Sequence, residues 1–411
     1  MSFLLIVAVI CLLALFVLLL AAGGASRVAD RAAVLAARGD TEEARGLLFA
    51  AKGSQDDPSA LFVRACLELE EGRPDSASAI AVRLRSMKPE APELLVLSKL
   101  IEERKRAPAD RWTDAAAGAW KAAGRPPPGA KQLLNQIDVQ RPIDPAALTR
   151  LRGTLDGFLV AFGESEHSNL VDAAMEVSKA RDLPAGAQLV AVHVLLDAKV
   201  LDPSDDRRRS AGWDLLSRLS RTEPDDGYIA LALVVAGTDP HAPLTDSELI
   251  RLEDALRRRT FGLPIRPLFV AFQAAYQRVD RGQAASKAFS EMTAALPLDT
   301  HLLLSRRAGV TDDPALRFRA AEVLGLAGSR LQSGPSFLER MIGLSLEARA
   351  AELRSNAAQA QAVRVKRERL NKLMEDGSAF WRYAWPIASL GRDHLERNSV
   401  EEVRYAEAMA Q

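Results

Sequence analysis

The sequence predicts an all-α protein in which an N-terminal transmembrane helix is followed by an α-solenoid of helix pairs. An unbroken apolar run at residues 3–22 predicts the transmembrane helix. The remaining chain is rich in Ala, Leu, Arg and Glu, and aromatic residues make up only 5% of the sequence, a composition that favours helices. Pro and Gly interrupt it at short intervals, as in a helical-repeat array, and no alternating pattern typical of strands is present.

The apolar run Phe3–Ala22 contains no charged residue, Gly or Pro. As a helix it spans about 30 Å, which matches the hydrocarbon core of a bilayer. A secretory signal has a basic segment before a shorter apolar stretch, whereas only Met1 and Ser2 precede this run. We therefore predict an uncleaved anchor, with cleavage near the small residues Gly23 to Ala25 as the alternative.

The orientation of the anchor follows from its flanking cations. Arg27, Arg31 and Arg38 lie on its C-terminal side, and no Lys or Arg lies on its N-terminal side. The positive-inside rule then favours a single-pass protein of the cell membrane with a cytoplasmic body. A periplasmic body held from the other side of the membrane is the alternative.

Composition and motifs disfavour catalysis and nucleic-acid binding. The formal net charge is zero, so the chain lacks the electrostatic footprint of a nucleic-acid-binding protein. Cys11 lies in the apolar run and Cys66 in an apolar helix, which suggests neither a disulfide framework nor a thiolate metal site. Phosphate-binding loops, dinucleotide-binding glycine motifs, paired metal-ligand motifs and the nucleophile elbow are all missing from the sequence. We expect no enzyme activity, no cofactor and no metal.

Two helix–break–helix segments follow one another between residues 26 and 88. Gly39 and Gly72 mark the two breaks and are 33 residues apart, and Ala44 and Ala77 have the same spacing. Each Gly ends a helix where a left-handed residue is easiest for Gly. Each Ala, five residues later, is small enough for two helices to pack closely. These four residues are the predicted repeat-packing positions.

This pattern resembles the tetratricopeptide repeat, a helix–turn–helix unit of about 34 residues. The turn glycines, the small alanines and the late prolines match it, whereas the family's aromatic positions are mostly aliphatic here. A third unit, Glu93–Ala123, keeps the helix pair without the turn Gly, and its second helix is predicted to start at Pro108. The resemblance implies a curved stack whose concave groove binds a peptide or helix of a protein partner.

Helices continue beyond a stiff linker with three prolines. They are predicted over residues 145–162, 167–181, 186–200, 207–221, 227–236, 245–259, 265–280, 283–296 and 314–332, then as one or two helices over 335–374, and over 392–409. The predicted domains are a transmembrane anchor at 1–25, tetratricopeptide-like repeats at 26–124, the linker at 125–129, a helical-repeat continuation at 130–333 and a C-terminal helical region at 334–411.

The C-terminal region carries a basic run followed by clustered aromatic residues. Together they form a candidate interaction patch that consists of Arg364, Lys366, Arg367, Arg369, Trp381, Tyr383 and Trp385. The basic run is also typical of a solvated helix face, and the aromatics of a cap over the solenoid end. If the aromatic stretch is helical, Trp381 and Trp385 share a buried face and leave Tyr383 or Arg382 accessible.

The sequence therefore predicts a membrane-anchored helical-repeat scaffold that binds a protein partner in the solenoid groove and holds it at the membrane. A periplasmic or cell-envelope assembly protein with the same fold is one alternative. The other is a chain whose basic and aromatic C-terminal segment contacts lipid or nucleic acid. Phosphate binding must weaken with salt, whereas binding in a groove need not, so salt dependence separates these hypotheses.

Overall fold

The computed structural model describes residues 27–51, 53–127, 132–134, 143–164, 170–180, 182–196, 206–236, 238–239, 241–296 and 299–411. The predicted anchor at residues 3–22 lies outside these ranges, as do positions 128 and 129 of the predicted linker. Within them, no helix combines the length and the apolar character that a membrane span requires.

The prediction of an all-α chain is confirmed for the described residues. Their regular elements are helices, and the one pairing of strand type among them is an isolated bridge between Asp226 and Thr260. The first helices are α1 (27–38), α2 (Thr41–Ala50), α3 (Pro58–Glu70), α4 (Pro74–Met87), α5 (Pro92–Arg106) and α6 (Trp112–Ala122). They are followed by α7 (Pro145–Leu151), α8 (Leu155–Gly163), α9 (Leu170–Lys179), α10 (Ala185–Leu196), α11 (Asp206–Thr222), α12 (Gly227–Val235) and α13 (Asp246–Arg257). The last are α14 (Ile265–Gln277), α15 (Ala284–Ala295), α16 (Asp299–Gly309), α17 (Pro314–Gln332), α18 (Phe337–Leu353), α19 (Ala357–Ser378), a 3₁₀ turn (Ala379–Arg382) and α20 (Ala388–Ala410).

These elements form two compact units. The first unit comprises the described residues of Met1–Gln140, Asp376–His394 and Ala408–Gln411, and the second comprises the described residues of Arg141–Glu375 and Leu395–Glu407. The first division therefore falls after residue 140, whereas the predicted linker was placed at 125–129. The C-terminal region, predicted as one domain from residue 334, supplies residues to both units.

Helix pairs with the same turn chemistry build the first unit. Gly39 ends α1 with φ +90°, and Gly72 ends α3 with φ +74°. In both turns the N–H of the next residue donates to the carbonyl five residues earlier, at 2.9 and 2.8 Å. This is the bond of a Schellman C-cap, which needs a left-handed residue at that position. The same bond follows Gly124, after α6, at 3.0 Å.

Burial in the first two helix pairs repeats with the 33-residue spacing. Equivalent buried positions are Ala32 and Ala65 in the first helices, Ala44 and Ala77 in the second helices, and Leu48 and Ala81 one turn further on. The described architecture is thus repeat-like and compatible with an α-solenoid.

The third helix pair departs from the predicted register. Its first helix keeps the spacing, because Pro58 and Pro92 open α3 and α5 and are 34 residues apart. Its second helix begins at Trp112, so the predicted start at Pro108 is wrong. The Arg104 guanidinium donates to the carbonyls of Pro108 and Asp110, both at 2.7 Å, and lies 4.2 Å from the Trp112 ring centroid. These contacts hold the intervening residues as a loop.

The second unit departs from the prediction at two places. The helix predicted over 145–162 is two helices, because Gly153 adopts φ +76° and the Thr154 hydroxyl caps α8 by accepting from the Gly157 N–H at 3.0 Å. Over 335–374, where one or two helices were predicted, there are two, separated at Ser355, which has φ +53°. Helix α16 was not predicted at all.

Helices α17 and α18 form a closely packed pair in the second unit. They cross where Gly328 faces Gly343, and a Cβ added to either residue would lie 2.6 Å from the carbonyl oxygen of the other. Only glycine permits this approach. The pair continues through buried alanines, among them Ala320, Ala321 and Ala350.

Candidate interaction surfaces

No metal-binding group is found among the described residues. Among them, no group of three or more His, Cys, Asp or Glu side chains is placed to hold a metal ion. Cys66 is fully buried in α3, and burial raises the pKa of its thiol. His193 lies with its ring centroid 5.9 Å from that of Phe162.

The four predicted repeat-packing residues lie at helix turns and inside helix pairs. Gly39 and Gly72 form the left-handed turns, and Ala44 and Ala77 have no exposed surface. A Cβ added to Gly39 would lie 3.7 Å from the Cβ of Ala388, which belongs to the C-terminal part of the same unit.

That C-terminal part, Phe380–His394, is called the C-terminal segment below, and an aromatic cluster holds it on the first unit. The Phe380 ring stacks on Trp385 at 5.0 Å between centroids and meets Trp120 of α6 edge-on at 5.8 Å. Trp385 also lies 5.9 Å from Phe62 of α3. Tyr383 contacts Trp120 at 5.9 Å, and its hydroxyl donates to the Pro126 carbonyl at 2.8 Å. Burial raises the pKa of Tyr383 to about 12.

Two carboxylates fix the C-terminal segment further along. Glu70, at the end of α3, accepts the N–H of Ser389 at 3.2 Å and its hydroxyl at 2.6 Å. Asp393 accepts the N–H and the hydroxyl of Thr113, at 2.8 and 2.7 Å, and the guanidinium of Arg111 at 2.8 Å. Burial alone would raise the pKa of Asp393, but these hydrogen bonds outweigh burial and lower it.

The conformation of this stretch corrects the expectation for its aromatic residues. After the 3₁₀ turn the chain is extended at Tyr383, with ψ 145°. Residues two apart then share a side, so Tyr383 and Trp385 are both buried. Trp381 is half-buried and stacks on His394 at 3.5 Å between centroids, and Arg382 is exposed. The helical spacing predicted an accessible Tyr383 or Arg382, and the accessible residue is Arg382.

The C-terminal segment packs on α3 and α6 of the first unit. Eight of the 13 residues of α3 are buried, including Phe62 beside Trp385. An amphipathic helix that packed on one side only would bury a narrower stripe. Part of the burial of α3 therefore comes from a segment of the same chain.

The basic run lies on α19 in the second unit. Lys366 pairs with Glu347 of α18 at 3.0 Å, and Arg367 donates to the Ser345 hydroxyl at 3.3 Å, so these two side chains attach α19 to α18. Arg364 donates to Gln361, one turn away, and Arg369 is exposed. The aromatic residues of the predicted patch belong to the first unit and the basic residues to the second.

Exposed apolar side chains are a feature that sequence reasoning missed. Phe49 on α2 is 90% exposed and Val82 on α4 is 70% exposed. They are 33 residues apart, and each follows a buried alanine, Ala44 or Ala77, by five residues. On a helix this spacing directs the side chain away from the helix–helix contact that the alanine makes. The same repeat alignment was therefore enough to locate them. Phe49 borders a cleft of about 190 Å³ that also includes Arg45, Arg64 and Glu68.

A second exposed apolar group lies on the paired helices α13 and α17. Arg319 of α17 binds Asp246 and, at 2.8 Å, Glu253, both of α13. Ile250 lies between these two acidic residues in the sequence and is about half exposed. Phe318, next to Arg319, is exposed to a similar degree.

No family model matches the chain, and no curated protein or solved structure is significantly similar to it. The architecture of the described residues is repeat-like. The narrower likeness to the tetratricopeptide repeat rests on the turn glycines, the small alanines and the helix spacing described above.

Proposed function

We propose that the chain is a membrane-anchored, non-catalytic scaffold of tetratricopeptide-like helix pairs that binds a protein partner and holds it at the membrane. Residues 3–22 form a single span in the cell membrane, and the body lies on the cytoplasmic side. The length and purity of the apolar run support the anchor, and the cations at Arg27 and Arg31 support the orientation.

The observation that carries partner binding is the exposed apolar group on α13 and α17. Ile250, Phe318 and Leu326 are each about half exposed. Charged side chains lie nearby, because Arg319, next to Phe318, pairs with Asp246 and Glu253, and the Arg354 guanidinium lies 5.6 Å from the Phe318 ring centroid. An apolar centre with a polar rim is the usual composition of a protein-binding surface. In the first unit the C-terminal segment already packs on α3 and α6, which supports assigning the partner to the second unit.

The anchor is tested by extraction of native membranes with alkaline carbonate. We expect the full-length chain to stay with the membranes, because an apolar span is not released by salt or high pH. Recovery in the soluble fraction with an N-terminus near Ser26 would instead identify a cleaved signal. A reporter fused to the C-terminus decides between the cytoplasmic and periplasmic sides.

Partner binding is tested with Phe318→Asp and the control Val270→Asp, which changes an apolar residue of similar exposure on α14. Both variants should melt like the unchanged protein, because neither side chain lies in the core. A partner that co-purifies from detergent-solubilised membranes should be lost with Phe318→Asp and kept with Val270→Asp. Retention by both variants would remove the α13–α17 surface from the proposal.

A further inference from the structure

We infer that the open end of the helix pairs in the first unit lies on the lipid surface, with Phe49 at the boundary between headgroups and acyl chains. The open end is the end opposite the Gly39 and Gly72 turns, where α1, α3 and α5 begin and α2 and α4 finish. The occupant of this surface is the bilayer that holds residues 3–22, so the inference rests on the proposed anchor.

Chain length places the start of α1 close to the membrane. Only four residues, 23 to 26, separate the apolar run from the helix at 27–38. A fully extended residue covers at most about 3.6 Å, so four residues cover at most about 14 Å. The first unit therefore begins within reach of the lipid headgroups.

Hairpin geometry places Phe49 at the same level. Helices α1 and α2 are joined by Gly39 and Asp40 alone, and such a short connection makes them antiparallel neighbours. Counted from this turn, Phe49 lies level with residue 30 of α1. At about 1.5 Å per residue, that level is about 5 Å from the start of α1.

The exposed apolar side chains of the first unit concentrate at this end. Among its described residues, the large apolar side chains with more than a third of their surface exposed are Phe49, Val82, Met87 and Leu95. Phe49 and Met87 lie in the last turns of α2 and α4, and Leu95 lies in the first turn of α5. The opposite end of α2 instead carries Glu42 and Glu43. Apolar residues beside a membrane anchor are typical of contact with the bilayer interface.

The charges at the open end suit an anionic lipid surface. The exposed cations there are Arg27 and Arg31 on α1, Arg83 and Arg85 on α4 and Lys88 after it. Of the acidic residues at this end, Asp56 and Glu90 are exposed, and Asp56 is paired with Arg83. Asp30 is half-buried, Asp57 caps α3 by accepting from the Ala60 N–H, and Glu93 is buried, so exposed cations outnumber exposed acidic residues. Lys and Arg are attracted to anionic headgroups within a Debye length of the surface.

The test uses the full chain in vesicles of zwitterionic and anionic phospholipid. A Cys11→Ser background leaves the buried Cys66 thiol as the other cysteine. Phe49→Cys and the control Glu43→Cys, on the same helix near the turn, each carry an environment-sensitive fluorophore. We expect a blue-shifted emission that lipid-borne quenchers reduce for the label at 49, and a water-like, unquenched emission for the label at 43.

Two results would overturn the inference in distinguishable ways. If the protein resists carbonate extraction from the vesicles but the label at 49 is water-like and unquenched, the lipid contact is wrong and the anchor stands. If carbonate releases the protein, the anchor itself is wrong. A blue shift without quenching by lipid would show that Phe49 contacts protein, such as a second copy of the chain, and would also overturn the inference.

Discussion

Asp393 caps the N-terminus of α6, a helix that is distant from it in the sequence. The first N–H groups of a helix have no partner within it, and α6 has no side-chain cap of its own. Asp393 supplies the cap by accepting from the Thr113 N–H and hydroxyl and from Arg111. The C-terminal segment is therefore held by charged hydrogen bonds in addition to aromatic packing.

We predict that Asp393→Ala lowers the free energy of unfolding of the first unit by about 1–3 kcal/mol, because it removes the carboxylate that accepts from the N–H and the hydroxyl of Thr113. Asp75→Ala is the control, since Asp75 is almost fully exposed and pairs only with Lys105 in a bridge worth less than about 1 kcal/mol. Urea unfolding measures both. Because the pKa of Asp393 is lowered, its contribution is complete at neutral pH and is lost as the pH falls through that lowered value. Equal losses in both variants would contradict the capping role.

Arg307 has the corresponding structural role in the second unit. Its guanidinium is buried and binds Glu248 through two hydrogen bonds of 2.9 Å. It also donates to the carbonyls of Ala242 and Pro243, both at 3.0 Å, and to the Thr238 hydroxyl at 3.2 Å. The Arg307 side chain thus donates hydrogen bonds to several acceptors in the loop that precedes α13.

We predict that Arg307→Met costs about 3–5 kcal/mol of unfolding free energy, because it leaves a charged carboxylate and several carbonyls without their donor. Arg307→Lys should recover little of this free energy, since an ammonium lacks the planar guanidinium geometry that reaches all these acceptors. Arg257→Met is the control, because Arg257 is exposed and pairs with the exposed Asp254. Thermal melting of the three variants checks the order. Similar melting temperatures for Arg307→Met and Arg257→Met would refute the role.

At the scale of elements, the crossing of α17 and α18 depends on two glycines in the same pair of helices. Gly328 and Gly343 allow the backbones to approach until each α-carbon faces the other's carbonyl. Gly325, three residues from Gly328, lies where the two helices are less closely packed, and a Cβ added there would contact the Cβ of Ala350 at 3.8 Å. Alanine substitutions at these two positions of one helix therefore separate the effect of helix packing on stability from the effect of helix propensity.

Gly328→Ala should destabilise the second unit by at least about 1–3 kcal/mol, because the added methyl group overlaps backbone that cannot move without separating the helices. Gly325→Ala should be neutral or stabilise by up to about 1 kcal/mol, since Ala favours a helix over Gly and its Cβ meets only an ordinary contact. Chemical unfolding of both variants decides this. A stabilising effect at Gly328 would show that the crossing is looser than the structure indicates.

Sequence reasoning found the elements whose signals are local. Gly39 and Gly72 were located as helix ends because a left-handed turn selects glycine, and the helical composition gave the fold class. The break at Gly153 was missed because an isolated Gly within an apolar stretch does not by itself distinguish a break from a helical residue. The shared side of Tyr383 and Trp385 was missed because the helical period was applied to a stretch that is extended.

The contacts that the C-terminal segment makes could not be predicted from the sequence for another reason. Glu70 with Ser389 and Thr113 with Asp393 join residues that are roughly 300 positions apart. Composition and spacing carry no signal for such pairs. The exposed Phe49 and Val82, in contrast, follow from the repeat alignment once the buried alanines are fixed.

At the scale of the whole molecule, the two units differ in how their buried titratable groups respond to acid. In the first unit, burial lowers the pKa of His394 to about 3, although the neighbouring Asp393 acts in the opposite direction. In the second unit, burial raises the pKa of Glu339, which accepts from the Leu263 N–H at 2.8 Å, and of Glu402, which accepts from the Phe337 N–H at 2.9 Å.

The signs of these pKa shifts predict that the stabilities of the two units change in opposite directions as the pH falls from about 6.5 to 4.5. Unfolded His394 binds a proton below its ordinary pKa of 6.5 and the folded form does not, so the first unit loses about 2 kcal/mol by pH 5. Folded Glu339 and Glu402 bind protons above the ordinary pKa of 4.5, so the second unit gains stability over the same interval. Carboxylates with lowered pKa values, such as Asp393 and Glu248, act only below this interval.

Hydrogen exchange of the full chain, followed by mass spectrometry and corrected for the intrinsic effect of pH, measures both units in one sample. From about pH 7 to about pH 5, protection should fall in peptides from α3 and α6 and should hold or rise in peptides from α17 and α18. His394→Gln removes the titrating group, so the fall in the first unit should become shallow even if the variant is less stable at both pH values. A parallel fall in both units, or an unchanged slope in His394→Gln, would show that other groups govern the acid response.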